Sequence, residues 1–185
     1  MIILDLEATC DDSPDWNRDE MELIQIGAVV MAKDGTLINR FEAYARPSIH
    51  PKLTSFCTRL TGISQSRIDQ AKPLSEVLVE FDKWVAGIHS DHLGHWGSWG
   101  AYDRNQFIKD ARRQKVTLQI LAQDSTHHNL KSIWAERARQ RPMGLGKAVV
   151  AEGLRFEGRA HNALVDAENI ARLKHIRNYR RELPY

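Results

Sequence analysis

The sequence predicts a single α/β domain built on a mixed sheet. Three features predict it: strand-like runs at the N-terminal end, amphipathic helical patterns mixed with short apolar runs after them, and no linker-like stretch dividing the chain. Met1, Ile2, Ile3 and Leu4 form an apolar run that ends in a turn-prone acidic stretch, the pattern of a buried strand. Leu23 to Ala32 (LIQIGAVVMA) reads as a second strand, and Asp34-Gly35 supplies a hairpin turn into a third, LINRFEAYARP. The chain is therefore expected to open with three antiparallel strands. Pro47 and Pro51 break the pattern, and Leu53 to Leu60 shows helical spacing until Thr61-Gly62 ends it. Ser64 is placed to cap a short helix. After Pro73, the residues Leu74, Val77, Leu78, Phe81, Trp84 and Val85 make one amphipathic stripe that should face the core. A short strand from Leu93 to Trp99 and a helix from about Ala101 to Lys115 follow, and the rest reads as helical with breaks near Pro142, Gly144 and Gly158. The domain is expected to span residues 1–178, with 179–185 as a short basic tail.

With 185 residues the chain can bury a sizeable core, and its 42% hydrophobic and 27% charged content is that of an ordinary globular protein. A formal net charge of +2 permits nucleic-acid binding without requiring it. The two cysteines, Cys10 and Cys57, make neither a CxxC pair nor a disulfide framework, so a reducing cytoplasm is the expected setting. No charged-then-apolar leader precedes Asp5 and no apolar run approaches the ~20 residues of a membrane span, so neither secretion nor membrane insertion is expected.

The chemistry is concentrated in three phrases. In DLEATC, Asp5 and Glu7 sit two apart on a strand and so point to one face. Two carboxylates at the edge of an apolar layer repel unless a cation neutralises them, and hard divalent ions take oxygen ligands. That makes the pair a candidate metal site, although a solvated strand edge carries such pairs often. In HNALVDAENIARL, Leu164, Val165, Ala167, Ile170, Ala171 and Leu173 recur at helical spacing, with His161 and Asp166 at the start. Were both helical, they would lie about 140° apart at ~3.6 residues per turn. His161 is therefore expected in the loop or first turn before the helix, within reach of the ions that Asp166 binds. Taken singly, His161 reads as an ordinary helix-start histidine and Asp166 as a solvated helix residue. In SWGAYDRNQF, Asp103 is expected in the first turn of its helix.

Together these phrases resemble the DEDDh group of 3′-end exonucleases, most of all its enhanced-RNAi-type branch, whose members trim RNA 3′ ends. In that branch the first motif looks like DLEATC, a second block like FCTxLTGI and the last like HxAxxDAxNIARL; here Phe56 to Ile63 reads FCTRLTGI. The sister group carries tyrosine four residues before the final aspartate, where this sequence has Asn162, so the histidine variant is the one resembled. The likeness runs from Met1 to about Leu173, and an appended nucleic-acid-binding domain of the kind some relatives carry is not expected.

The resemblance implies a ribonuclease-H-like sheet whose central strand brings Asp5 and Glu7 against two helices carrying Asp103 and Asp166. Phosphodiester hydrolysis needs an in-line hydroxide, a neutralised phosphate and a stabilised leaving oxygen, which two ions ~3.5–4 Å apart can supply together. By resemblance, Asp5 bridges two Mg²⁺ or Mn²⁺ ions, Glu7 and Asp166 complete one site, and Asp103 supports the other, partly through water. His161 is then the general base, a task suited to an imidazole. Leu6, Ala8 and Thr9 would present backbone groups and a hydroxyl to the last sugar. Phe56 and Leu60 either flank the terminal base or are simply core. The expected substrate is the 3′ end of single-stranded RNA, with nucleoside 5′-monophosphate released; DNA, as in proofreading exonucleases, stays open. A non-catalytic nucleic-acid-binding module is disfavoured because such a module needs no free imidazole beside four carboxylates. The resemblance also admits a homodimer, and no protein partner is indicated.

Other signals carry less. His89, His92 and His95 recur every third residue without a nearby cysteine, a poor zinc pattern. Gly144 to Ala148 lacks the glycine spacing and the Ser/Thr of a phosphate loop and is expected to start a helix. Trp16, Trp96, Trp99 and Trp134 are given no role. Basic residues from Arg104 to Lys115, Lys131, and Lys174 to Arg181 are either a phosphate track or solvated helix faces.

Overall fold

Strand β1 (Ile2–Ala8) is buried along nearly its whole length because it lies between two apolar layers. The computed structural model of the protein describes residues 1–183. β2 (Leu23–Met31) pairs antiparallel with β1, and β3 (Leu37–Arg46) pairs antiparallel with β2, giving the expected three-strand opening. Thr54 caps helix α1 (Ser55–Thr61) by accepting the Cys57 N–H at 3.0 Å, and Gly62, at φ +76°, ends it in the left-handed conformation. Ser64 caps the short α2 (Gln65–Asp69) as expected. A two-residue edge strand, β4 (Lys72–Pro73), then leads into α3 (Leu74–Ala86), whose Leu74, Val77, Leu78, Phe81 and Val85 are buried. β5 (His95–Ser98) runs parallel to β1 and precedes α4 (Tyr102–Gln114). β6 (Thr126–Asn129) follows, then α5 (Leu130–Ala138), α6 (Leu145–Ala151), α7 (Ala163–Arg172) and α8 (Lys174–Glu182). The six-stranded sheet has the order β4-β3-β2-β1-β5-β6.

Two strands depart from expectation. β6 lies in a region read as helical, yet it pairs parallel with β5 from His95–Thr126 to Ser98–Asn129. Its sequence, Thr-His-His-Asn, has no apolar alternation, because at the sheet edge backbone pairing holds it rather than burial. β4 is too short for a pattern, and its Pro73 suits an edge, where a missing N–H costs no ladder bond. The expected boundary at 178 falls inside α8, which continues to Glu182. Arg180 there is buried, and its Nε donates to the Met31 carbonyl at 3.2 Å, so this arginine belongs to the packed body rather than to a tail. Residues 184 and 185 of the expected tail lie outside the described residues. Among the described residues no helix is long and apolar enough to cross a membrane.

Strand alternation divides the core. Leu4 and Leu6 join Ile26, Ala28, Phe81 and Phe107 under α3 and α4, whereas Ile3 joins Val29, Trp134, Ile170 and Leu173 under α5, α7 and α8. Asp5 and Glu7 share the face of Ile3 and so point toward α7. The closest approach on that face is at Gly27, opposite Asp5 in the ladder. A Cβ there would lie 2.0 Å from the Leu164 backbone nitrogen. The bare backbone at 27 is what lets the start of α7 rest on the sheet, and Gln25 fixes it by accepting the Ala163 N–H at 3.1 Å.

Candidate active site

Asn162 caps α7, accepting the Val165 N–H at 3.1 Å, and this places Asp166 in the first turn over the C-terminal end of β1. His161 precedes the cap in the left-handed region, at φ +62°, a conformation that costs most non-glycine residues about 1–2 kcal/mol. Its backbone N–H donates to Asp166 Oδ2 at 3.1 Å, so the turn is tied to the carboxylate it serves. The imidazole is 53% exposed, and its Nδ1 lies 3.9 Å from Glu7 Oε1. Glu7, His161 and Asp166 each present a ligand atom within 4.8 Å of the others. From the opposite side, Asp103 enters in the first turn of α4 and accepts the Leu6 N–H at 3.2 Å, linking that helix to the strand carrying Asp5 and Glu7.

All five sequence-nominated residues, Asp5, Glu7, Asp103, His161 and Asp166, line one cleft of about 350 Å³. Its described wall contains no lysine or arginine. The electrostatic consequence is strong. Burial, with Asp103, Asp166 and Glu7 next in order, holds the Asp5 carboxyl well above its usual range. Burial and then the neighbouring Asp166 and Asp103 push Glu7 up to about 8. Burial raises Asp103 to about 6 against hydrogen bonds from its own N–H, Ser98 and Leu6, and raises Asp166 to about 6 against the His161 N–H. Four carboxylates so arranged ionise together only at a cost, which a positive charge among them would offset.

The donor set fits a hard divalent cation. It is all carboxylate oxygen beside one imidazole, and Asp166 Oδ1 is a buried acceptor without a hydrogen-bond partner. A bound cation would satisfy that oxygen and bring the shifted carboxyls back toward ionisation.

The residues expected to contact substrate divide. Leu6 and Ala8 line the cleft with their side chains turned into the core, and Leu60 forms part of its wall. Phe56, half-buried one helical turn earlier, does not reach the wall. Thr9 is a correction: it is 2% exposed, and its hydroxyl accepts the Glu22 N–H at 3.0 Å. The ladder register slips between Glu7 and Ala8, and Thr9 closes against Glu22, with its own N–H donating to the Glu22 carbonyl at 2.8 Å. Its hydroxyl is thereby turned into the fold, away from the cleft wall.

Sequence reasoning missed much of the apolar wall, which Met21, Trp99, Tyr102 and Leu145 supply. Trp99 is held by donating its indole N–H to the Met143 carbonyl at 2.9 Å, and Tyr102 is 48% exposed. The available signal was adjacency, since both aromatics stand in the phrase that carries Asp103. Leu145 gave none, because it arrives from a separate helix.

The exonuclease family model RNase_T matches residues 2–173. The chain is 29% identical to human ERI1 exoribonuclease 2 over 94% of its own length and 27% of that protein's, so it spans about a quarter of that relative. It is also 29% identical to the 3′-5′ exonuclease Snipper of Drosophila melanogaster, over 94% of this chain and 67% of that one. Among solved structures, the nuclease domain of 3′hExo, described as a DEDDh family member bound to rAMP, superposes with a TM-score of 0.83 at 24% identity. That match covers 95% of this chain and 89% of the other, and establishes the shared fold. Cell-death related nuclease 4 superposes with a TM-score of 0.79 at 25% identity, covering 95% of this chain and 62% of its own.

Proposed function

Since this chain belongs to the RNase_T exonuclease family, we propose that it shortens single-stranded RNA from the 3′ end, releasing nucleoside 5′-monophosphates. The observation that carries the proposal is the gathering of four carboxylates and an exposed imidazole in one cleft whose described wall has no cationic side chain. The direction of attack and the choice of RNA are supported by similarity to proteins named exoribonuclease and 3′-5′ exonuclease. Asp5, Glu7, Asp103 and Asp166 would hold two Mg²⁺ or Mn²⁺ ions. When bound, these supply Lewis-acid stabilisation of phosphate charge and of the attacking and leaving oxygens.

The protein's own residues do the rest. The Leu6 N–H and the His161 N–H hold Asp103 and Asp166 in place, so the carboxylates meet the substrate already oriented. His161 takes the proton of the attacking water. Its Nδ1 lies 3.9 Å from Glu7 Oε1, and the exposed ring stands beside the carboxylates where the water would be activated. Leu60, Trp99 and Tyr102 offer apolar and aromatic faces for the terminal base, contacts worth ~1–3 kcal/mol per stacked base and tolerant of sequence.

The test is nucleotide release from matched RNA and DNA oligomers labelled at the 5′ end, with and without Mg²⁺ or Mn²⁺. A stepwise ladder from the RNA 3′ end, abolished by Asp5→Ala, is the expected result. Unchanged shortening by Asp5→Ala would place the chemistry elsewhere, and preferential shortening of DNA would replace RNA as the substrate.

A further inference from the structure

A second depression, of about 300 Å³, adjoins the carboxylate cleft, and its walls include Tyr44, Gly62, Ser64, Arg67, Arg159 and Asn162. Its charge is the reverse of its neighbour's: two guanidinium groups and no carboxylate among the described lining residues. The two depressions are lined by consecutive residues at two places in the chain. Leu60 and His161 face the carboxylate cleft, and the very next residues, Thr61 and Asn162, face the basic one. Consecutive Cα atoms lie about 3.8 Å apart, so the two sites are near neighbours on one surface.

The guanidinium groups are placed by the fold. Arg159 NH2 donates to the Arg59 carbonyl at 2.9 Å, and the group lies so close over the α1–α2 turn that a Cβ on Gly62 would fall 2.2 Å from NH1. Gly62 therefore serves the left-handed turn and also makes room for the arginine. Arg67 stacks over the Tyr44 ring, 4.7 Å from its centroid, while the Tyr44 hydroxyl turns away to donate to Glu42 Oε1 at 3.2 Å. The other basic cluster close to the cleft is differently employed. Lys109 Nζ donates to the Arg18 carbonyl at 2.9 Å, and Arg113 donates to the Met21 and Asp19 carbonyls at 3.1 and 2.7 Å, so both tie down the 18–21 segment.

We propose that Arg67 and Arg159 bind the phosphate next to the scissile one, on its 5′ side, and so hold the substrate strand in register. The inference rests on the exonuclease reading above. A terminal nucleotide with a free 3′-hydroxyl contributes only the scissile phosphate, so any second phosphate reaching this basic site belongs to the strand upstream. Guanidinium N–H pairs match phosphate oxygens in fork geometry, and a stacked or carbonyl-anchored arginine loses less freedom on binding.

The test moves one uncharged methylphosphonate linkage, on a 2′-deoxy nucleotide, stepwise from the 3′ end of a single-stranded RNA, each with a matched phosphodiester control. For the wild-type protein KM should rise about tenfold at one position, as expected for losing a charge-assisted contact, with kcat little changed. For the Arg67→Gln/Arg159→Gln double variant, KM on the all-phosphate strand should already be raised about tenfold and the neutral linkage should add little at that position. The slope of log affinity against log salt should also flatten. Nucleotide release with the double variant as sensitive to the neutral linkage as the wild type would overturn the phosphate site and leave the exonuclease reading standing. No nucleotide release by the wild type from any strand, with either metal, would overturn the exonuclease reading and this site with it.

Discussion

His161 concentrates the local physics of the site. A non-glycine residue is uncommon in the left-handed region, and here the His161 N–H binds Asp166 while its ring stands exposed beside Glu7. Replacing it with asparagine, which tolerates the left-handed region, separates chemistry from folding. His161→Asn should lower kcat about 10²–10⁴-fold, the usual loss for a general base, while the thermal midpoint stays at or above that of the wild type. Single-turnover shortening of labelled RNA beside a melting curve checks both, and a wild-type rate would remove the imidazole from the mechanism. The acidic residues and this histidine were legible because their three phrases together resemble those of a known family, whereas spacing alone left each of them with an ordinary reading. The inward turn of Thr9 was not legible, because it depends on a register slip between β1 and β2 and on the Glu22 backbone across the ladder.

At the scale of elements, the sheet was readable wherever burial shaped the sequence and unreadable at its edge. β1 and β2 announce themselves as apolar runs, while β6 is polar because it is held by pairing with β5 and by its histidines. His127 Nε2 meets Ser98 Oγ at 3.0 Å, and His128 lies between His95 Nδ1 at 3.0 Å and the Tyr179 hydroxyl at 2.7 Å. Burial pushes both imidazoles down to about 4, with Arg104 and His128 acting next on His127 and His95 on His128. An unfolded histidine takes its proton near pH 6.5, so between about 6.5 and 4 the unfolded chain binds protons that the folded chain refuses. This contribution to stability is complete above pH 6.5 and is lost as the pH falls toward 4. Urea unfolding should show the loss, and a His127→Gln/His128→Gln variant should show a shallower one. An unchanged acid slope in that variant would assign the sensitivity elsewhere. The cleft walls obeyed a similar logic: Trp99 and Tyr102 acquire their place only when α4 and α6 converge on the sheet.

For the molecule as a whole, the carboxylate cleft gives stability a pH dependence of opposite sign. Burial raises Glu7 to about 8 and Asp103 and Asp166 to about 6, with repulsion from neighbouring carboxylates adding to the shift at Glu7 and Asp166, so the folded metal-free protein favours their protonated forms. Their contribution is present at low pH and is lost as the pH rises from about 4, where unfolded carboxyls ionise, through 6 to 8. A divalent cation competes with those protons. The rise in melting temperature on adding Mn²⁺ or Mg²⁺ should therefore be small at pH 5 and largest near pH 8. Equal shifts at both values would mean that the ion binds away from these carboxylates.

The bare backbone at Gly27 acts as a spacer gauge for this whole arrangement. It sits opposite Asp5 and directly beneath the start of α7, so the gap between sheet and helix is set by main-chain atoms, which cannot rotate aside. A single methyl there wedges the two layers apart at the point that brings Asp166 toward Glu7. Gly27→Ala should cost about 1–3 kcal/mol in urea unfolding and weaken divalent-ion affinity, although no ligand is touched. An alanine protein as stable and as ion-tight as its parent would show that the layers yield where this packing leaves them no slack.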